Sequence, residues 1–246
     1  MTEFTIKLAE IPISVRCFFD STKDYCRDYL TDEPGEIQID MEPLDILAER
    51  RLGARQMALE GHSQADYTDA YMETLALYRK IAERLAEKNV LLFHGSVIAY
   101  REKAYIFTAK SGTGKTTHCR LWLENIPDCH ILNGDKPLLL FRSDGVFACG
   151  TPWQGKEQYG RNEILPVAAI CLLTRDRSNH IEPIRFSEAF PLLLRQFHKP
   201  NGTANAEFMR LFGKLGAVSL YRLGCNMDKE AAFTAFAGLT EGGAEA

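Results

Sequence analysis

Apolar and polar residues alternate twice near the start of the chain, at Phe4, Ile6 and Leu8 and again at Ile11, Ile13, Val15 and Cys17. That is the period of half-buried β-strands. Pro12 lacks a backbone N–H for a neighbour, which places the second strand at a sheet edge or a bulge. A turn-forming Asp32-Glu33-Pro34-Gly35 leads to a third alternation at Ile37, Ile39 and Met41, and Pro43 suits the start of a helix. From Tyr67 the spacing changes to three and four, at Tyr71, Leu75, Tyr78, Ile81, Ala82 and Leu85. This predicts an amphipathic helix whose tyrosines pack in the core. Residues 1–89 are therefore expected to form a small N-terminal α+β subdomain.

From Val90 the chain becomes a series of dense apolar runs separated by short polar turns. Val90–Phe93 is one; Ser96–Tyr100 and Ala104–Thr108 flank Arg101-Glu102-Lys103 as a hairpin. Further strands are predicted at Ile131-Leu132, Leu138–Phe141 and Val146–Cys149. Val167–Leu173 is the most apolar and so is expected at the sheet centre. Beyond Phe186 the pattern is helical, through Ala189–Leu194, Phe208–Leu211 and Lys229–Leu239, and residues 242–246 are expected to fray. The fold class is thus α/β, with residues 90–246 forming a second domain that ends in a helical segment.

Composition narrows the function classes. With 246 residues, 46% hydrophobic and 25% charged, the chain is neither disordered nor fibrous. The net charge of -4 and the lack of basic runs argue against nucleic acid as a partner. No run of ~20 apolar residues is present, so no membrane association is expected, and a cytoplasmic protein is. The seven cysteines are scattered and form no Cys-x-x-Cys pair, which predicts reduced, mostly buried thiols. His118-Cys119 and Cys129-His130 lack the spacing of a zinc site.

The chemistry is concentrated in Thr108-Ala109-Lys110-Ser111-Gly112-Thr113-Gly114-Lys115-Thr116-Thr117. It follows a predicted strand and precedes a helical run, the context of a phosphate-binding loop. Gly112 and Gly114 let the backbone curl with its N–H groups inward, and Ser111 and Thr113 complete the cradle. Lys115 can reach the β- and γ-phosphates, Thr116 can ligate Mg²⁺, and Thr117 lies in the same first helical turn. The bland alternative is a glycine-rich surface turn with a solvated lysine. Ala109 stands where the G-x-x-x-x-G-K-[ST] pattern has its first glycine, a change that ordinary dihedrals tolerate.

Such a site needs a carboxylate at a neighbouring strand end. Asp135 fits, in His130-Ile131-Leu132-Asn133-Gly134-Asp135, although Asn-Gly-Asp could equally be a hairpin turn. With Phe93-His94-Gly95-Ser96 upstream, the order of elements resembles the catalytic domain of HPr kinase/phosphorylase, whose core the ATP-dependent phosphoenolpyruvate carboxykinases share. Leu77–Lys80, Lys136–Leu139, Gly150–Lys156 and Cys225–Met227 resemble more closely the HPr-kinase-related proteins of anaerobic Firmicutes.

The resemblance implies a mixed-sheet P-loop core and an ATP- and Mg²⁺-dependent kinase. Its acceptor would be a hydroxyl of a peptide, protein or small molecule. It places His94 beside the γ-phosphate, against the plainer alternative of a strand-capping histidine, and Asp135 at the magnesium. Lys156 and Arg161 would clamp phosphate oxygens and Trp153 would wall the site, unless this segment is a solvated loop. Gly134 stands where both better-known families carry a second aspartate. Whether that carboxylate serves as base or metal ligand is open, so a nucleotide-binding regulator with weakened catalysis is the alternative. A homo-oligomer is left open, and the much longer carboxykinases are a poor match.

Overall fold

A computed structural model of the chain describes residues 1–60, 67–155, 158–199 and 204–240. Lys156 and the predicted tail at 242–246 lie outside the described residues. The chain divides into two compact units, Met1–Leu85 and Ala86–Ala246.

In the first unit, β1 (Thr2–Leu8) and β2 (Ile11–Cys17) form an antiparallel hairpin, and β3 (Ile37–Asp40) adds parallel to β2. The order β1-β2-β3 puts β2 in the middle, which corrects the edge position expected from Pro12. Pro12 is tolerated there because the β3 pairing begins one residue later, at Ile13↔Ile37. Its carbonyl still accepts from Glu36 N–H. Helices α1 (Asp20–Tyr25), α2 (Pro43–Glu60) and α3 (Asp69–Leu85) complete the unit. Ile6, Ile13, Val15, Ile37 and Ile39 are buried, as alternation requires. Tyr78, Ile81, Ala82 and Leu85 of the expected α3 stripe are buried, but Tyr71 is exposed, and Met72, Glu73, Thr74, Ala76 and Leu77 widen the buried face.

Glu73 is an acidic residue with no exposure at all. Its carboxylate accepts from Phe18 N–H at 2.7 Å, Phe19 N–H at 3.2 Å and the Thr22 hydroxyl at 2.5 Å. It therefore ties the two residues that lead into α1, and Thr22 in its first turn, to a distant helix.

The second unit is built on a nine-stranded mixed sheet. Its strands are β4 (Val90–Leu92), β5 (Ser96–Tyr100), β6 (Lys103–Thr108), β7 (Cys129–Asn133), β8 (Leu138–Phe141), β9 (Val146–Cys149), β10 (Ile164–Arg175), β11 (His180–Pro183) and β12 (Ser219–Cys225). The twelve-residue β10 is the spine. One edge pairs parallel with β6, with a register shift between Val167 and Ala169; the other pairs first with β9 at Ile164–Pro166 and then with β12 at Ala169–Arg175. Changing partners along one edge curls the sheet.

Strand β12, inside the region expected to be helical, corrects the sequence expectation. Its buried positions, Leu220, Leu223 and Gly224, do not alternate cleanly. Pairing with both β10 and β11 overrides the weak local signal.

Helices cover both faces. Ile170 and Leu172 of β10 pack with α5 (Phe186–Leu194) and α6 (Ala204–Gly213), where Phe208 and Phe212 stack and Phe197 meets both edge-on. Ala169, Cys171 and Leu173, pointing the other way, pack with α4 (Lys115–Asn125) and α7 (Glu230–Thr240) around the fully buried Trp122. All seven cysteines are free, and no described helix is long and apolar enough to cross a membrane.

Replacing Glu73 by Ala leaves two part-buried N–H groups and a buried hydroxyl without their acceptor, the hydroxyl alone at on the order of 1–3 kcal/mol if left unpaired. Urea unfolding of Glu73→Ala is expected at a clearly lower midpoint. Glu73→Gln, which keeps an acceptor oxygen, is expected to fall between it and the wild type.

Candidate functional site

Strand β6 ends at Thr108 and α4 begins at Lys115, and the six residues between them form the glycine loop. Gly112 (φ 76°) and Gly114 (φ 123°) occupy conformations that side chains other than hydrogen resist. Ala109 is buried and keeps an ordinary φ, so the departure from the glycine pattern costs nothing in backbone strain. Thr113 N–H closes a turn onto Lys110 O at 3.2 Å, and Gly114 is the N-cap of α4. Lys115 donates from Nζ to Ala109 O at 3.2 Å, across the loop. Burial lowers its pKa, opposed by the charge of Asp135.

The carboxylate comes from a turn at the end of β7. The side-chain oxygen of fully buried Asn133 accepts from Asp135 N–H at 2.9 Å and Lys136 N–H at 2.7 Å, an Asx turn. The same turn is clamped by its neighbour in space: Gly95 N–H donates to Asp135 O at 2.9 Å and the Ser96 hydroxyl to Gly134 O at 2.7 Å. Gly95 is required where the segments cross, since a Cβ there would lie 2.7 Å from the Phe93 ring. The Asn-Gly-Asp turn weighed from the sequence is present, and Asp135 is part of it.

Asp135 stands between His94 and Lys136. His94 Nε2 is 3.2 Å from its Oδ1, while Lys136 Nζ donates to its Oδ2. His94 Nδ1 lies 3.1 Å from Gln196 Oε1, and Thr108 Oγ1 donates to His94 O. Burial by itself raises the Asp135 pKa, but the His94 hydrogen bond and the charge and hydrogen bond of Lys136 outweigh it. Together they hold the carboxyl well below the usual carboxylate range. Asp135 and Thr116 line the same cavity of about 310 Å³, with Ser96, Cys119, Gln154 and Tyr159 on other walls.

Arg161 is not brought into this group. Its guanidinium lies 3.6 Å from Glu163, which itself bonds His130 at 2.7 Å, and its side chain is 58% exposed. Trp153 is buried, and the aromatic on the cavity wall is Tyr159. Ser111 is exposed on the loop, while Thr113 and Thr117 line a second cavity. Sequence reading missed Lys136, Gln196 and Arg175. Lys136 adjoins Asp135 and could have been found from that adjacency; Gln196 and Arg175 reach the site only through the fold.

Gly134 has a steric cause. A Cβ at this position would sit 2.3 Å from Gln154 O. A second aspartate therefore cannot occupy position 134 unless the loop carrying Gln154 moves.

No known family profile and no curated protein matches the chain. Among solved structures it is similar to the HPr(Ser) kinase/phosphatase from Coxiella burnetii, at 10% identity and a TM-score of 0.29, over 49% of this chain and 86% of that one. Similarity at that level assigns neither family nor activity.

Gly134→Ala and Gly134→Asp are both expected to destabilise the fold by roughly 1–3 kcal/mol in thermal or urea unfolding, because either Cβ meets backbone oxygen. A Gly134→Asp protein as stable as wild type would show that the loop yields freely. For Asp135, the folded pKa lies below the unfolded value of ~3.9. Its stabilising contribution is therefore complete above that pH and is lost as pH falls toward the folded pKa. Asp135→Asn is expected to flatten the acid side of the stability profile below about pH 4 and leave its shape near neutrality unchanged.

Proposed function

We propose that this chain is an ATP- and magnesium-dependent kinase of the HPr-kinase-like class, acting on a hydroxyl of a peptide, protein or small molecule. The observation that carries the proposal is the convergence of Thr116 and Asp135 on one cavity at the foot of the glycine loop. Phosphoryl transfer asks a protein mainly to position and to stabilise charge. The loop N–H groups and the N-terminus of α4 supply a fixed positive potential for phosphate. Lys115, half-desolvated over the loop, adds a cation that water screens poorly.

Magnesium takes oxygen donors and retains waters and phosphates in its shell. The Thr116 hydroxyl and the ionised Asp135 carboxylate fit that demand and would hold it; bound there it would neutralise phosphate oxygens. A carboxylate held so far below neutrality is a weak base, which favours a charge-holding role for Asp135 over proton abstraction. His94 and Lys136 fix its orientation. The acceptor hydroxyl would enter along the cavity walls formed by Gln154 and Tyr159.

A second reading is supported by Gly134 and Lys136. With one carboxylate, already ion-paired, and no room for another, the site suits a regulator that binds nucleotide and turns it over slowly.

Lys115→Ala is expected to weaken ATP binding at least about tenfold in calorimetry with magnesium, since it removes a charge-assisted contact to phosphate. Unchanged affinity would remove the loop from the site. Wild-type ATP turnover separates the two readings: typical kinase rates of roughly 1–100 per second with an acceptor support the enzyme, and binding without turnover supports the regulator.

A further inference from the structure

The ammonium of Lys136 is paired with Asp135, but hydrogen bonds of its main chain, not that pair, fix where the residue stands. Its N–H donates to Asn133 Oδ1 at 2.7 Å and its carbonyl accepts from the Thr151 hydroxyl at 2.8 Å. Pro137 follows, which restricts the backbone before it, and the Pro137 carbonyl accepts from Phe93 N–H at 3.1 Å. With the main chain pinned, only the flexible four-carbon stem can carry the ammonium elsewhere. At 33% exposure that stem is not locked in a core.

The pair takes up the charge of the site. Asp135 is the only carboxylate among the described residues lining the loop-foot cavity, and a side chain at position 134 meets Gln154 O. Both Asp135 oxygens are engaged, Oδ1 with His94 Nε2 at 3.2 Å and Oδ2 with Lys136 Nζ. The same ammonium is felt at Lys115: burial does most to lower the Lys115 pKa, Asp135 opposes it, and the like charge of Lys136 adds to the lowering. Lys136 is thus within electrostatic reach of both the carboxylate and the lysine assigned to phosphate. A cation held by Asp135 with nothing else bound would lie beside an ammonium that has lost its partner, and like charges repel strongly in a partly buried site.

Resting on the nucleotide reading above, we propose that Lys136 is an exchangeable counter-ion that couples metal binding to polyphosphate binding. Its ammonium pairs with Asp135 until a polyphosphate lies on the loop, then passes to a phosphate oxygen and leaves the carboxylate to the metal. Charge balances in the exchange: one ammonium trades a carboxylate oxygen for an oxygen of the more highly charged phosphate, and no proton moves. Without the polyphosphate the exchange leaves the ammonium bare beside a divalent ion, so the metal alone binds poorly. With it, each ligand favours the other by the same factor.

The test is calorimetry on the full chain with Mn²⁺ alone and with manganese tripolyphosphate, with thermal unfolding as the check on folding. Lys136→Met removes the ammonium, Lys136→Gln removes the charge but keeps a donor for Asp135, and Lys136→Arg keeps the charge. In the two neutral variants Mn²⁺ alone is expected to bind at least about tenfold more tightly than in the wild type, while manganese tripolyphosphate binds about threefold or more weakly. Lys136→Arg is expected to keep the wild-type order, weak for Mn²⁺ and tight for manganese tripolyphosphate.

Opposite signs for the two ligands are the mark of the exchange. Weaker binding of both in the neutral variants would make Lys136 a fixed prop for Asp135, and tighter binding of both a permanent counter-ion; either overturns the coupling and leaves the nucleotide reading standing. Unchanged Mn²⁺ affinity in the neutral variants overturns it too, as does a wild type that binds Mn²⁺ alone as tightly as manganese tripolyphosphate. A wild type that binds neither manganese tripolyphosphate nor magnesium ATP would overturn the nucleotide reading and the coupling with it.

Discussion

The buried amide of Asn133 fixes where the only carboxylate among the residues lining the loop-foot cavity can stand. Its oxygen takes the N–H groups of Asp135 and Lys136, and its nitrogen donates to the Thr151 hydroxyl at 2.9 Å, which passes its own proton to Lys136 O at 2.8 Å. An unpaired buried amide is expensive, so this turn has one low-energy arrangement and few alternatives. Gly95 and Ser96 lock it from the opposite side through two more bonds. Asp135 is therefore positioned by main-chain geometry before its own side chain makes a contact, which is the preorganisation that charge stabilisation needs.

Around that fixed carboxylate the electrostatics are unusual for a protein of net charge -4. Lys136 and His94 both reach Asp135, Lys115 lies across the loop, and Arg175 braces the loop's carbonyls. Lys136 and Lys115 thus stand near one carboxylate, while Arg175 is held on the loop itself. Positive potential concentrated at a cleft attracts a polyanion regardless of overall charge. Lys136 differs from Lys115 in kind. It is paired with Asp135, whereas Lys115 bonds a carbonyl of the loop.

Much of this was legible in the sequence, for definite reasons. Period-two alternation located β1, β2 and β3, and the run Val167–Leu173 marked the spine because a strand covered by helices on both faces has no polar side. The glycine loop was legible because its flanks and its two positive-φ glycines are local properties. Strand β12 was not, since Leu220 and Leu223 acquire a common sheet only through β10 and β11. Nor was the central position of β2, because Pro12 is harmless only where β3 happens to start one residue late. Arg161 looked like a phosphate clamp from composition alone, but Glu163 and His130 form a chain that holds it outward. Long-range partners decide such cases.

Gly134 shows why a missing residue is ambiguous until its surroundings are known. Read as sequence, glycine in place of a second aspartate is a lost carboxylate. Read in the structure, it is a position where the Gln154 carbonyl has closed to within 2.3 Å of any Cβ, next to Gly155 at φ 85° whose own Cβ would touch Asp135. The Gln154 carbonyl fills the space that a side chain at position 134 would need, and Gln154 Oε1 accepts from Gly160 N–H at 2.6 Å. Glycine and loop position are therefore coupled: an aspartate at 134 fits only if the Gln154 carbonyl shifts, and the Gln154 side chain is itself tied to Gly160.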